Sequence, residues 1–293
     1  MKTINLKSAD SYEILQSFEN LKLENNEIFE IEFFEEDIES IGYKALVDLA
    51  QIYFLKMLTP TCRDSRVYIK FRKLNENNSF HNNLQDSEKY GVNSEFFSID
   101  KNEQFSFLYY YQKALEFINI KNKKTILNLG VNKGDEFKVI KNLLTCSEYE
   151  KKTFVGIDYS STAIEYAKRE LPDSNIDFKC IDINNLKESS LTRFDLIISI
   201  GTLQSSNINF NEKFMEIYQN HLEKGGSIIL GFPNCRWIDA EMVYGAKAPN
   251  YNFNEMSLVL KDIHFCKKYL QQKKYRVVIT GKDYLFLSAR KIS

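Results

Sequence analysis

The chain is poor in the features that announce a membrane, a metal or a disulfide scaffold. No segment approaches the ~20 unbroken apolar residues that a spanning helix needs, and the start, MKTINLKSADSYEI, lacks the apolar core of a secretory signal. The five cysteines (Cys62, Cys146, Cys180, Cys235 and Cys266) form no CxxC pair and no cluster with histidine. That argues against a zinc site and for reduced thiols. Nor does one sign of charge dominate: 39 basic against 40 acidic side chains leave −1 over 293 residues. The expectation is a cytoplasmic protein of one or two globular domains, with no metal and no membrane partner.

Charge is nevertheless uneven. Residues 1–120 carry 13 Lys and Arg against 20 Asp and Glu, and the remainder 26 against 20. Two halves of opposite sign can attract each other, and an acidic N-terminal part is the reverse of a nucleic-acid-binding appendage. Within it, Ile28–Phe34 (IFEIEFF) and Arg66–Leu74 (RVYIKFRKL) alternate apolar and charged residues, the period of a half-buried strand. Between them Asp37 is placed to cap one helix carrying Ile38, Ile41, Ala45, Leu49, Tyr53 and Met57, which Thr59-Pro60 ends. The pattern predicts a βαβ-like accessory unit over residues 1–74. The acids from Glu27 to Glu39 are either a cation site or solvated faces. Residues 75–104 are polar and Asn-rich and read as a linker or a lid.

The stretch from Thr125 to Tyr159 organises the rest. It begins TILNLGVNKGDEF and ends KKTFVGIDY. Ile126, Leu127 and Leu129 make a short apolar strand, Gly130 and Gly134 bracket a tight turn, and Asp135 and Glu136 open a helix. A second strand, Phe154–Ile157, delivers Asp158, 24 residues beyond Gly134. Glycines admit close approach of a ligand to backbone, a helix N-terminus offers N–H groups, and a strand-end acid accepts from ribose hydroxyls. This pattern, and the order of the elements after it, resembles the class I S-adenosylmethionine (SAM)-dependent methyltransferases, whose first motif reads roughly D/E-x-G-x-G-x-G. Here the motif positions are Asn128, Gly130, Asn132 and Gly134. Asn132 stands for the middle glycine, and asparagine tolerates the left-handed backbone. Asn128 keeps an accepting oxygen but brings no charge for the cofactor's ammonium.

The resemblance covers about residues 105–293. It implies an α/β fold, a Rossmann-like seven-stranded methyltransferase sheet, preceded by the N-terminal α/β accessory domain. It implies SAM as cofactor, held by Asn128, Gly130, Val131, Asn132, Gly134, Asp158, Tyr159, Asp182, Ile183, Ile200 and Gly201. Asp182, after the strand Ile176–Ile181, is either the family's adenine acid or a turn residue. Phe194–Ile200 is apolar throughout, as a buried parallel strand should be. A helix from Glu212 to Leu222, closed by Gly225-Gly226, precedes the strand Ser227–Gly231. Residues 253–271 give a further helix, and Tyr275–Thr280 with Tyr284–Ala289 a closing hairpin.

Gly231–Tyr251 is the least generic stretch, and its Gly, Pro and Asn content predicts a loop. It carries the single tryptophan, Trp237, beside Arg236. It is either the acceptor pocket, with Arg236 as anion clamp and Trp237 or Tyr244 as wall, or a loop packed by its own aromatics. Thr202, Gln204, Arg236 and Tyr244 are the residues expected at the acceptor. Tyr90, Phe97, Asn234, Trp237 and Tyr251 are expected to line it, Tyr90 and Phe97 as lid residues or as linker anchors. The Asn-Pro-Pro-Tyr motif of nucleic-acid amino methyltransferases is absent, which favours a small-molecule, peptide or protein acceptor. Two rivals stand beside this reading: a non-catalytic scaffold built on the same fold, motivated by Asn128 and Asn132, and an RNA methyltransferase. The oligomeric state is not legible in the sequence.

Overall fold

In the computed structural model, residues 2–78, 92, 94, 97, 99–246 and 254–292 are described. Two compact units emerge: Met1–Asn83 with Arg236–Tyr244, and Leu84–Cys235 with Gly245–Ser293. The first unit runs β1 (Lys2–Asn5), α1 (Ser11–Glu19), β2 (Ile28–Phe34), α2 (Glu35–Ile41), α3 (Tyr43–Ile52), β3 (Leu55–Met57), β4 (Thr61–Arg63) and β5 (Arg66–Lys73). Its sheet has the order β1-β2-β5-β3, with β4 also on β5. The alternation reads through directly: Phe29, Ile31 and Phe33 on β2, and Val67, Ile69 and Phe71 on β5, are buried on one face, where Phe18, Leu46 and Ala50 of the helices meet them.

Two expectations for this unit need correction. The expected single helix is two, because Gly42 adopts φ 79° and breaks it; Asp37 is then the third residue of α2, its Oδ2 accepting from the Phe34 and Ser8 amides at 2.8 and 3.1 Å. The strands β2 and β5 are antiparallel. The helices lead into the three-residue β3, and β5 returns between β2 and β3. The acid run is a set of paired and capping groups: Glu32 accepts from Lys7 at 3.1 Å and Arg66 at 3.0 Å, and Glu35, Glu36 and Asp37 fill the first turn of α2, where carboxylates favour the helix dipole. Among the described residues no cluster of His, Cys, Asp and Glu could hold a metal ion, and no helix is long and apolar enough to cross a membrane.

The second unit runs α4 (Phe105–Phe117), β6 (Thr125–Leu129), α5 (Asp135–Leu143), α6 (Cys146–Glu150), β7 (Thr153–Asp158), α7 (Ser161–Glu170), β8 (Ile176–Cys180), β9 (Phe194–Ile200), α8 (Phe210–Glu216) and β10 (Leu222–Pro233). After the hairpin strands β11 (Cys235–Ile238) and β12 (Glu241–Tyr244) come α9 (Ser257–Gln272), β13 (Tyr275–Gly281) and β14 (Tyr284–Lys291). Seven strands form one sheet in the order β13-β14-β10-β9-β6-β7-β8. The strands from β10 to β8 are parallel, and β14 is antiparallel to both neighbours. Strand order reverses between β6 and β9, the place where open α/β sheets bind ligands at their carboxyl ends. β10 is longer than expected. It begins at Leu222, with a register shift before Ser227, so Gly225 and Gly226 lie inside its irregular start. The preceding helix, α8, continues as a π-helical turn over Ile217–His221 and ends directly at β10.

Gly231–Tyr251 is not simply a loop. β11 and β12 are a hairpin turning at Asp239 (φ 51°) and Ala240 (φ 60°), two left-handed residues as a tight type I′ turn requires. Its partners lie in the first unit. Arg72 Nη1 donates to Asp239 at 2.7 Å and Asn78 Nδ2 at 3.2 Å, Lys56 pairs with Glu241, and Ile238 and Val243 pack with Leu74 and Phe54.

The single tryptophan, Trp237, is only 8 % exposed in this hairpin, so its fluorescence reports the accessory unit. Ala240→Gly should raise the denaturation midpoint followed at Trp237, because the left-handed position costs an L-residue about 1–2 kcal/mol and glycine little. Burial pushes the Asp239 carboxyl up, but its bonds from Arg72 and Asn78 outweigh that and hold it below its ordinary 3.8. Its folded pKa is depressed, so its contribution is present above pH ~4 and is lost as pH falls through the folded value. Asp239→Asn should flatten that part of the pH–stability curve; an unchanged acid limb would contradict the assignment.

Candidate active site

The site grows from the join between β6 and β7. The Gly130 and Val131 amides both donate to the Ile157 carbonyl at 2.9 Å, and the Asn132 amide donates to Asp158 Oδ2 at 2.9 Å. The loop can take this course because Gly130, Asn132 and Gly134 all have positive φ, at 72°, 43° and 83°. Asn132 thus does the backbone work expected of the middle glycine. At Gly130 a Cβ would collide with the side chain of Thr202, whose hydroxyl donates to the Leu129 carbonyl at 3.0 Å. At Gly134, which caps α5, a Cβ would press on Leu171. Lys133 reaches back and donates to the Phe97 and Ile99 carbonyls at 3.1 and 2.7 Å. Its ammonium also lies 5.5 Å from the Phe97 ring, which packs edge-on against Tyr166.

The electrostatics are acidic and dry. Asp158 is 7 % exposed. Burial raises its pKa, the amides of Ser160, Asn132 and Tyr159 oppose the rise, and the charge of Glu136 adds to it. On the first turn of α5, Asp135 and Glu136 are buried. Burial raises Asp135 as well, although Lys101 pulls it down. Lys101 stands 2.7 Å from Glu136 Oε1; burial disfavours its charge, and the carboxylates of Glu136, Asp135 and Asp100 more than restore it. Asn128 Nδ2 donates to Glu136 Oε2 at 3.1 Å. Because a carboxylate only accepts, this fixes the amide's orientation and leaves Asn128 Oδ1 buried without a partner.

A positive-φ glycine loop, a buried carboxylate at the end of β7, and acids for a cationic ligand fit a sulfonium nucleoside bearing ribose hydroxyls. The comparison with protein families agrees: the methyltransferase-domain family matches residues 120–281, more than half of the chain. The chain belongs to this family and is a class I SAM-dependent methyltransferase. No curated protein matches it. Among solved structures, the methyltransferase is similar to the N-methyltransferase NodS of Bradyrhizobium japonicum WM9 with S-adenosylhomocysteine bound, at 18% identity over 71% of this chain and 98% of that one, TM-score 0.47. It is also similar to the plantazolicin methyltransferase BpumL, 15% identical over 72% and 93%, TM-score 0.47, and to a SAM-dependent methyltransferase from Aquifex aeolicus, 15% identical over 61% and 88%, TM-score 0.42.

The methyltransferase places its expected cofactor residues around one edge. Asn128, Gly130, Val131, Asn132, Gly134 and Asp158 form the join itself. Tyr159 is 39 % exposed, and Asp182 is exposed and caps the turn at Ile183 through the Asn184 amide at 2.8 Å. Ile200 ends β9, and Gly201 (φ 76°) follows it. Gln204 follows them, its Oε1 buried without a partner, and Asn234 ends the β10 crossing, 3 % exposed. Thr202 braces β6 to the β9 loop, as its bond to Leu129 shows. Arg236, Trp237 and Tyr244 belong to the hairpin grouped with the accessory unit. The Arg236 guanidinium lies 5.0 Å from the Phe54 ring of that unit. Tyr90 and Tyr251 lie outside the described residues.

Reasoning from the sequence did not single out Lys101, Asp283 or Ser106 for the site, and read Glu136 only as a helix-opening acid. The turn Gly281-Lys282-Asp283 was legible as a turn, but not that Asp283 is 5 % exposed and accepts from Ser106 at 2.7 Å.

Asp158→Ala should lower S-adenosylhomocysteine affinity by about tenfold or more, since charge-assisted bonds contribute roughly 1.5–3 kcal/mol. It should also lower Tm, because the Asn132 and Ser160 amides lose their acceptor. Titration calorimetry giving wild-type affinity would remove Asp158 from the cofactor site. Gly130→Ala should cost stability through the clash with Thr202, and the added change Thr202→Gly should recover part of it in thermal melts.

Proposed function

We propose that the methyltransferase acts on nitrogen, an amine of a small molecule or peptide. The observation that carries this reading is Asn234. Its Nδ2 donates to the Lys282 carbonyl at 3.3 Å, which fixes the amide so that Oδ1 is the atom left buried and unpartnered. A buried acceptor without a donor is costly, and a ligand N–H answers it. Asp283 follows Lys282 directly, and its carbonyl accepts from the Asn234 amide at 2.8 Å. Its Oδ2 is engaged by Ser106, and the remaining carboxylate oxygen is suited to a second N–H. Asn234 and Asp283 together offer acceptors, which select a donor-rich amine over a phosphate or carboxylate.

When bound, SAM supplies an electrophilic methyl group on its sulfonium. The chain's own residues align the acceptor nitrogen and exclude water around it. Asp283 is assigned to hold the acceptor through its N–H and to take the proton that an ammonium form must lose before its lone pair can attack. The acidic balance of residues 1–120 and the missing Asn-Pro-Pro-Tyr motif support the exclusion of nucleic acid as acceptor.

Asp283→Asn and Asn234→Ala should each lower turnover of an amine pool by about tenfold or more while leaving S-adenosylhomocysteine affinity within twofold, a lost charged or buried hydrogen bond being worth that much. Full turnover by both variants, or methyl incorporation into hydroxyl or thiol acceptors only, would overturn the nitrogen assignment. Filter binding at physiological salt should show no saturable tRNA retention; tight retention would favour an RNA acceptor.

A further inference from the structure

Positive charge gathers at one end of the seven-stranded sheet. From 263 to 293 the chain carries eight Lys and Arg against one acid, Asp283. Asp283 is buried and pairs with its neighbour Lys282 in the turn between β13 and β14. The other seven cations collect where α9 ends, β13 begins and β14 ends. Lys267 and Lys268 lie toward the end of α9. Lys273 and Lys274 join α9 to β13. The Lys274 carbonyl accepts the Ile292 amide at 3.0 Å, and the Lys273 carbonyl accepts Lys291 Nζ at 2.6 Å, so the three segments meet there. Arg276 and Arg290 stand directly opposite each other in the β13–β14 register, and like charges so placed destabilise a sheet. All seven but Lys267 are exposed. Among the described residues none of the seven forms an ion pair, whereas Lys7, Lys101 and Lys141 elsewhere do. Opposed cations without acids fit an external anionic surface.

Position selects the anion. The glycine loop and Asp158 lie at the carboxyl ends of the parallel strands. β14 runs antiparallel to β10, with Tyr284 beside Pro233 and Ala289 beside Ile228. Arg290 and its neighbours therefore mark the amino ends of the parallel strands, the wrong end for a nucleic acid that is to meet the methyl group. The nearest rings are capped rather than presented. Lys273, Lys291 and Arg290 lie 5.6, 4.9 and 5.0 Å from the rings of Tyr269, Tyr275 and Phe117, which leaves no open stacking platform for bases. Ile292, beside Lys291, is instead 58 % exposed. An exposed aliphatic side chain among cations is the combination with which a peripheral protein meets an anionic bilayer. We propose that this end of the methyltransferase binds the surface of an anionic phospholipid membrane, its cations on the headgroup phosphates and Ile292 at the acyl boundary. The contact is peripheral and reversible, needs no spanning helix, and leaves the carboxyl ends of the strands open to donor and acceptor. It is independent of the acceptor assignment.

Co-sedimentation with vesicles tests this, using phosphatidylcholine alone and phosphatidylcholine mixed with phosphatidylglycerol, at low and at physiological salt. Wild type should pellet with the anionic vesicles and stay in solution with the neutral ones, and salt should weaken the binding. Each cation at the surface is worth about fivefold, so Lys273→Gln, Lys274→Gln and Arg276→Gln together should lower the partition coefficient by about a hundredfold. Ile292→Ser should lower it by about threefold to tenfold, a factor that salt does not change. Both variants should keep wild-type affinity for S-adenosylhomocysteine, and Arg276→Gln alone should keep or raise Tm by removing the opposed pair, so lost vesicle binding is not lost fold. Equal partition into both kinds of vesicle, partition into neither, or undiminished binding by the triple variant overturns the proposal. Saturable tRNA retention at physiological salt without vesicle binding would assign the patch to nucleic acid instead.

Discussion

The site depends on one junction: the end of β7 holds the loop that leaves β6. Ile157 accepts two amides of that loop through its carbonyl, and Asp158 accepts a third through its carboxylate. Three consecutive N–H groups are thereby fixed against a neighbouring parallel strand, which aims the N-terminus of α5 and the buried acids on its first turn. Asp158 braces the loop, and its burial is stabilised by the amides that also oppose its rise in pKa.

Asn128 carries no charge and donates through Nδ2 to Glu136 on the first turn of α5, whose other oxygen pairs with Lys101. Asn132 meets the conformational demand of a glycine, with φ 43°, while retaining a side chain.

The accessory unit draws on chain from far along the sequence. The hairpin after β10 is held by Arg72, Lys56, Leu74 and Phe54, and it brings Arg236 and Trp237 into that unit. A guanidinium stacked on Phe54 recovers through the aromatic face some of what burial costs it.

The strands, helices and glycine turn of the methyltransferase unit were legible in the sequence because each is written in local terms. Apolar runs specify β6, β7 and β9, positive-φ residues specify the turn, and Asp158 stands at a strand end whose spacing from the loop is short. The return of β5 between β2 and β3 and the hairpin at Asp239 were decided by tertiary structure. In each a partner distant in sequence supplies the energy, as Arg72 does for Asp239. The same reason hid Lys101 and Asp283. A charged residue before a helix and an acid in a turn look solvated in sequence, and only the fold buries Lys101 against Glu136 and Asp283 against Ser106.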